Sequence, residues 1–358
     1  MIIRNNFKRF ENIKKILVVQ LGDIGDVVNS VPALHSIKEA YPKASISVLT
    51  RESFGSLLDA DKCIDEIFGV ELRQGNVITR ELPQIALIAR LRNKKFDLVF
   101  DLRSDERGAF MAFASGAPIR AGLFYGRHQF WRNHALTHLF NIDTTKEAST
   151  AGASEQSLRI IRGFDIPATE EIPKLFVAPD AQVEIEEMIN DNGLHQQKWI
   201  SINPFSRWHH KEWSLTKWAQ TIDWLVENKK VVCVIVGASN DSKRTQELIM
   251  QTRHKPLDFV GKTTLPQLVA LLSRSATHIG VDSAAAHIAG AVGTPTFTIF
   301  GPTDWQSWGP LGKDNHFLFP VRDCYPCYKK GCDDSGGQSC CLDELDVSTV
   351  INRLQELI

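Results

Sequence analysis

The stretch Ile279-Gly-Val-Asp-Ser-Ala-Ala-Ala-His287-Ile-Ala-Gly-Ala-Val-Gly-Thr-Pro295-Thr-Phe-Thr-Ile-Phe300-Gly301-Pro302 decides the fold. It reads as strand, polar turn, small-residue helix and second strand. Gly280 closes the first strand, and Asp282-Ser283 open a helix with an Ala/Gly face (Ala284, Ala285, Ala286, Ala289, Gly290). Thr294-Pro295 then restart an apolar run, Thr296 to Phe300. A helix N-terminus at the carboxyl end of a buried strand is an anion site, because unpaired N–H groups and the helix dipole both face outward. The same residues also read as an ordinary turn, with Asp282 and Ser283 capping the helix and His287 an interior histidine one turn in.

A second block answers the first: Trp199-Ile-Ser-Ile-Asn203-Pro204-Phe205-Ser206-Arg207-Trp208-His209-His210-Lys211-Glu212-Trp213-Ser214. Ile200 and Ile202 are strand-like, Asn203-Pro204 stop the strand, and Ser214 stands where it caps a helix over 215–227. The loop between carries Ser206, Arg207 and Lys211, a hydroxyl and two cations suited to a diphosphate. It lacks the Gly-x-x-x-x-Gly-Lys of a Walker loop. A third block lies near the N-terminus: the apolar run Lys15–Leu21, the turn Gly22-Asp23-Ile24-Gly25-Asp26, and a helix from Val27. Its glycines are spaced Gly-x-x-Gly and the next strand ends in Thr50-Arg51, so it is no dinucleotide fingerprint. Two carboxylates sit where open α/β sheets place their chemistry, although a helix-capping turn also accounts for one of them.

With these blocks in order, the chain resembles the heptosyltransferases of glycosyltransferase family 9. The resemblance rests on Gly22-Asp-Ile-Gly-Asp26-Val…Pro32-Ala-Leu, Asn203-Pro…Lys211-Glu-Trp213, and Asp282-Ser…His287-x-Ala289…Gly293-x-Pro295…Phe300-Gly301-Pro302-Thr303. It extends to Phe96-Asp97…Asp101-Leu-Arg103…Arg107-Gly and Gly261-Lys-Thr-Thr-Leu265. Ala284 stands where the family usually has glycine, harmless in a first helical turn and costly at positive φ. The resemblance implies an α/β, GT-B fold, two Rossmann-like domains facing across a cleft, and metal-independent, inverting transfer from ADP-L-glycero-β-D-manno-heptose to the lipopolysaccharide inner core. Asp26 is then the base and Lys211 the charge that meets the leaving diphosphate. Ser206, Ser239, Asp282, Ser283 and His287 join Lys211 in holding the donor, with the segment 237–241 facing adenosine. Asp23, Arg103, Arg107 and Arg120 are assigned to the acceptor, lipid A–Kdo or a heptosylated inner core, with Arg127 a further cation. No cofactor is required. Two alternatives keep the fold: a heptosyltransferase acting on a protein, and a nucleotide-sugar epimerase.

Strand–helix alternation runs twice, with strands near 15–21, 45–50 and 97–101, then near 199–203, 231–236, 277–281 and 296–300. Pro167, Pro173 and Pro179 punctuate the change-over, which places an acceptor domain at 1–178 and a nucleotide-sugar domain at 179–358. The last helix is expected to pack back on the first domain. A length of 358 suits two domains, and a formal charge of −1 argues against nucleic acid as a partner. No apolar run is long enough to span a membrane, and the N-terminus lacks the apolar core of a signal peptide. The expected location is cytoplasmic, peripheral at the inner face of the cytoplasmic membrane; Arg4, Phe7, Lys8, Arg9 and Phe10 read either as a frayed basic terminus or as a membrane contact, the former being favoured. Cys63 and Cys233 read as core residues. Cys324, Cys327, Cys332 and Cys340, with Cys341 beside them, have a spacing that fits a structural zinc or iron as well as a packed thiol loop.

Overall fold

A computed structural model describes every residue except 72–76, 125, 127–129, 143–151, 333–336, 338 and 358, and the side chains of 77–82. Arg127 lies outside the described residues. The chain divides into two compact units, Met1–Phe176 and Val177–Ile358.

The first unit holds seven parallel strands: β1 (Ile2–Arg4), β2 (Lys15–Val19), β3 (Ser45–Arg51), β4 (Glu66–Val70), β5 (Leu98–Asp101), β6 (Ile119–Leu123) and β7 (His138–Phe140). Their order is β1-β7-β6-β5-β2-β3-β4. Helices α1 (Ile24–Ala40), α2 (Val77–Lys94), α3 (Glu106–Ala114), α4 (Phe130–Ala135) and α5 (Glu155–Arg162) make the connections. Leaving out the edge strand β1, this is the doubly wound order, and it reverses between β2 and β5. The strands are near-continuous apolar runs because helices cover both faces: Ile16, Leu17, Val18 and Val19 are all fully buried.

The N-terminal decapeptide is anchored rather than frayed. Ile2–Arg4 pair with His138–Phe140, and Phe7 is buried and stacked on Phe164 at 4.8 Å. Phe7 is therefore part of the interior, which removes it from the expected membrane contact.

The second unit repeats the plan with β8 (Trp199–Asn203), β9 (Val232–Ile235), β10 (Leu257–Asp258), β11 (His278–Val281), β12 (Thr296–Ile299) and β13 (Asn315–Leu318). The order is β10-β9-β8-β11-β12-β13, all parallel, reversing between β8 and β11. Its helices are α6 (Pro179–Asp191), α7 (Leu215–Trp224), α8 (Ser242–Gln251), α9 (Leu265–Arg274), α10 (Ala284–Ala291), α11 (Trp305–Trp308), α12 (Cys340–Asp343) and α13 (Val347–Leu357). The expected helix over 215–227 ends its α-helical part at Trp224 and continues as a π turn through Lys229. The last helix, α13, packs on α7 of its own unit, burying Val350 and Leu354 in that unit's core.

Ala284 is the first residue of α10 and is not among the residues with positive φ, so a side chain there costs nothing. The strands that sequence reading passed over, β1, β4, β6, β7, β10 and β13, are edge or outer strands of two to five residues. Such short runs give too few alternations to register as a period.

Candidate active site

In each unit most of the named residues gather at the carboxyl ends of the strands flanking the order reversal. In the first unit β2 runs into Gly22-Asp23, and Asp23 takes the N-cap position of α1. The Asp26 carboxylate, one turn in, accepts the Asp23 backbone N–H at 2.8 Å through Oδ2. The same oxygen accepts the Arg103 guanidinium, delivered from the end of β5, at 2.5 Å. Both contacts fall on Oδ2, so among the described residues Oδ1 faces no donor. The capping reading and the functional reading are thus both visible in one carboxylate.

Arg103 also binds Asp105 at 2.9 Å. Burial pulls the Arg103 pKa down, but Asp26 and Asp105 outweigh it and the net displacement is upward. Asp23 pairs with Arg51 at 2.9 Å, and Arg51 also donates to the Leu21 carbonyl at 3.1 Å. Arg51 ends β3, where a nicotinamide-binding fold would keep an acid for the ribose. In the sequence Arg51 argues only against that fold; its pairing with Asp23 is visible in the structure. Gly22 is required by close approach: a Cβ there would lie 2.3 Å from Asp26 Oδ2 and 2.6 Å from the Arg103 guanidinium.

Behind this pair, Asp101 closes β5 with no exposed surface. Its Oδ1 accepts the Ser104 N–H at 2.9 Å while Oδ2 has no partner among the described residues, and burial pushes its pKa up to about 7. Arg107 is exposed on the first turn of α3. Arg120 is not brought to this edge. It sits in register with Val99, two residues before the end of β5, and donates to the carbonyls of Ala135 (2.7 Å) and Ala117 (2.6 Å). Its guanidinium serves the backbone here.

In the second unit β8 delivers Asn203-Pro204 and the polar loop, and β11 delivers Asp282 and Ser283. Lys211 Nζ lies 2.6 Å from Asp282 Oδ2, and the Thr303 hydroxyl donates to the same oxygen at 2.6 Å. Ser206 Oγ donates to the Asp282 carbonyl at 3.3 Å, and Asn203 Nδ2 reaches Ser283 Oγ at 3.4 Å. Ser283 is the N-cap residue of α10, but its side chain makes no capping bond. Ser206, Lys211, Asp282 and Ser283 are therefore brought together.

The Lys-Glu-Trp triplet divides its labour. Trp213 is buried edge-on against Trp218 at 5.4 Å, fixing the loop to the core. Glu212 accepts the Ser206 N–H at 2.8 Å and pairs with Arg244 of α8, whose guanidinium lies over Phe205 at 4.8 Å. Lys211 is left pointing to the switch point. Glu212, Arg244 and Thr303 were missed as functional residues. The first and last stand inside quoted motifs, while Arg244 had no signal beyond a helix face.

Ser239 lies in the turn after β9, one strand away from this cluster, and Gly261 presses against its Cα. His287 is buried within α10. On the same strand as Asp282, His278 is fully buried with Nδ1 against Ser201 Oγ at 3.0 Å, and desolvation lowers its pKa to about 3.

The cysteine run closes no ligand set. Cys340 N–H donates to Cys332 Sγ at 3.1 Å, and all seven cysteines are free thiols. Among the described residues no three of Cys324, Cys327, Cys332 and Cys340 bring their sulfurs within 4.8 Å of one another.

A doubly wound pair of units with an acid at one switch point and a lysine at the other agrees with three comparisons. The sequence model described as Glycosyltransferase family 9 (heptosyltransferase) matches residues 84–336. Lipopolysaccharide heptosyltransferase 3 of Escherichia coli strain K12 is 27% identical over 290 residues, covering 80% of this chain and 82% of that one. The glycosyl transferase family 9 structure from Veillonella parvula DSM 2008 superposes with a TM-score of 0.80 at 22% identity, covering 96% of this chain and 97% of that one. The E. coli ADP-heptose lps heptosyltransferase II structure gives 0.77 at 19%, covering 96% and 98%. The structural likeness carries the fold. The family match spans β5, Arg103 and the whole lysine–aspartate cluster, and on that ground the chain belongs to glycosyltransferase family 9, the heptosyltransferases.

Proposed function

We propose that this glycosyltransferase moves a heptose, with inversion, from ADP-L-glycero-β-D-manno-heptose to the inner core of lipopolysaccharide, lipid A–Kdo or a heptosylated core being the acceptor. The observation that carries the reading is the pair of switch points: a carboxylate with one oxygen that meets no donor among the described residues in the first unit, and a lysine beside a helix N-terminus in the second. The names borne by the relatives supply the sugar and the acceptor.

In this reading the first unit takes the acceptor and the second the donor. Asp26 Oδ1 accepts the proton of the acceptor hydroxyl as its oxygen attacks C1 of the heptose. The bond between C1 and the β-phosphate oxygen breaks, its electron pair leaves with ADP, and the configuration at C1 inverts. Arg103 fixes Asp26 through Oδ2 and, with Arg51 and the exposed Arg107, offers positive charge to an anionic acceptor, while Asp23 accepts from acceptor hydroxyls. Lys211 turns from Asp282 to the diphosphate and offsets the charge that grows there, a task that a divalent metal performs in other transferases. The N–H groups opening α10 at Ser283 add to it. Asp282, relieved of Lys211 and still held by Thr303, accepts from heptose hydroxyls. Ser206 and Ser239 line the donor's phosphate and nucleoside ends, and His287 supports the α10 turn from within.

A lipid-linked acceptor places the reaction at the inner face of the cytoplasmic membrane, with the enzyme held peripherally. No helix among the described residues is long and apolar enough to cross a membrane.

The test is transfer by the purified chain from ADP-heptose, set against other nucleotide sugars, to lipid A–Kdo and to a heptosylated core. Heptosylated product with an unchanged initial rate in excess EDTA is the expected result. Preference for another nucleotide sugar, or a strict magnesium requirement, contradicts it.

A further inference from the structure

Cys63 is not a core residue. It lies half-buried in the loop between Leu58 and β4, and that loop folds against the second half of α1. There the imidazole of His35, the carboxylate of Asp61 and the thiol of Cys63 converge, their donor atoms all within 4.8 Å of one another. His35 Nε2 is 2.8 Å from Asp61 Oδ2, and the Cys63 backbone N–H holds Asp61 Oδ1 at 2.9 Å. The loop thus fixes one carboxylate oxygen and presents the other. On the far side of the ring, His35 Nδ1 faces Glu170 Oε2 at 3.5 Å. The His35 and Asp61 side chains are only 12% and 4% exposed.

We propose that His35, Asp61 and Cys63 form a binding site for a divalent transition-metal ion, zinc by preference, with Glu170 orienting the histidine. The donor set is the argument. One imidazole nitrogen, one carboxylate oxygen and one thiol sulfur are the three ligand types that zinc accepts together, whereas magnesium and calcium avoid sulfur. A histidine that turns one ring nitrogen to the ion commonly gives its other N–H to a carboxylate, which is the position of Glu170. Tetrahedral zinc with bonds of about 2.0–2.3 Å sets its donors about 3.3–3.6 Å apart, so the His35–Asp61 contact opens by about half an ångström on binding. Water takes the fourth corner.

The site lies nine residues along α1 from Asp26, about 13 Å at the helical rise. It ties that helix to the loop before β4 and takes no part in the transfer. An ion here is a staple, independent of the metal question at the diphosphate.

Because four of the five cysteines at 324–341 form the metal-like spacing, the experiment uses the full chain carrying Cys324→Ser, Cys327→Ser, Cys332→Ser and Cys340→Ser, with Cys341 left in place. After chelator treatment and its removal, cobalt(II) is titrated in. The expected result is saturation at one equivalent, with the visible bands of four-coordinate cobalt and a thiolate-to-cobalt charge-transfer band. Adding Cys63→Ser abolishes the charge-transfer band. Glu170→Gln weakens cobalt binding about tenfold while leaving that band at full intensity at saturation, the signature of an orienting partner. Zinc raises the melting temperature of the parent and not of the Cys63→Ser chain. Absence of the band, or its persistence after Cys63→Ser, overturns the proposal. If the fourfold variant does not fold, wild type and Cys63→Ser are compared directly: one equivalent less cobalt in the variant supports the site, and equal uptake overturns it.

Discussion

The two units share one strand order and diverge at the same topological point. In the first, the strands flanking the reversal deliver an acid held by a guanidinium, Asp26 with Arg103. In the second they deliver a lysine held by an acid, Lys211 with Asp282. Each carboxylate spends Oδ2 on two donors, the Asp23 N–H and Arg103 in one case, Lys211 and Thr303 in the other. The scaffold therefore fixes where chemistry stands, and the residues in the turn that follows each strand fix which chemistry it is. A carboxylate with an unoccupied oxygen suits proton removal. A lysine that can exchange a carboxylate for a phosphate suits a leaving diphosphate.

The largest effect that sharpens this contrast is expected from Asp26→Asn, which keeps the shape and the Arg103 contact but removes the base. Turnover should fall about a hundredfold or more, the scale of general-base loss. Steady-state kinetics that stay within a few-fold of wild type would take Asp26 out of the proton step and break the comparison on its first side.

A second contrast lies in the strands themselves. Asp101 has a folded pKa of about 7 against an ordinary 3.8, raised by burial. Its contribution to stability is fully present below the ordinary value and is lost as pH rises towards 7. His278 has a folded pKa of about 3 against 6.5, lowered by desolvation. Its contribution is present above 6.5 and is lost as pH falls towards 3. The two groups thus titrate over the same range, from about pH 3 to about pH 7, with opposite slopes. Asp101→Asn, which can still accept the Ser104 N–H, should remove a loss of melting temperature that accompanies rising pH between 3.8 and about 7. His278→Gln should remove a loss that accompanies falling pH between 6.5 and about 3. Unaltered profiles over that range in both variants would show that neither buried group titrates as described.

A smaller effect is expected at Thr303. Thr303→Val removes one of the two donors on Asp282 Oδ2 and should raise the KM for the donor sugar a few-fold, about 1 kcal/mol, with little change in turnover. A fall in turnover at unchanged KM would give Thr303 a part in the transition state instead.

Much of this was legible in the chain because buried parallel strands are apolar runs and their endings are polar. The central strands β2, β5, β8 and β11 and the turns that follow them could be read residue by residue. Lys211, Asp282, Ser206 and Ser283 were named from those turns and stand together. What escaped depends on distance between segments. Arg120 looked like its neighbouring arginines, yet register puts it before the strand end and its guanidinium caps carbonyls. Arg244 arrives from α8 with no motif, and Cys63 meets His35 only because the chain turns back on α1. The anchoring of Phe7 on Phe164 was equally invisible, since 157 residues separate them in sequence.

The central claim is that base and donor charge are separate devices, one in each unit. Calorimetric titration of ADP into wild type, Asp26→Asn and Lys211→Ala tests it most directly. The account predicts that Asp26→Asn binds ADP within about twofold of wild type, whereas Lys211→Ala binds it about tenfold or more weakly, about 1.4 kcal/mol. Loss of ADP affinity in Asp26→Asn together with wild-type affinity in Lys211→Ala would contradict it.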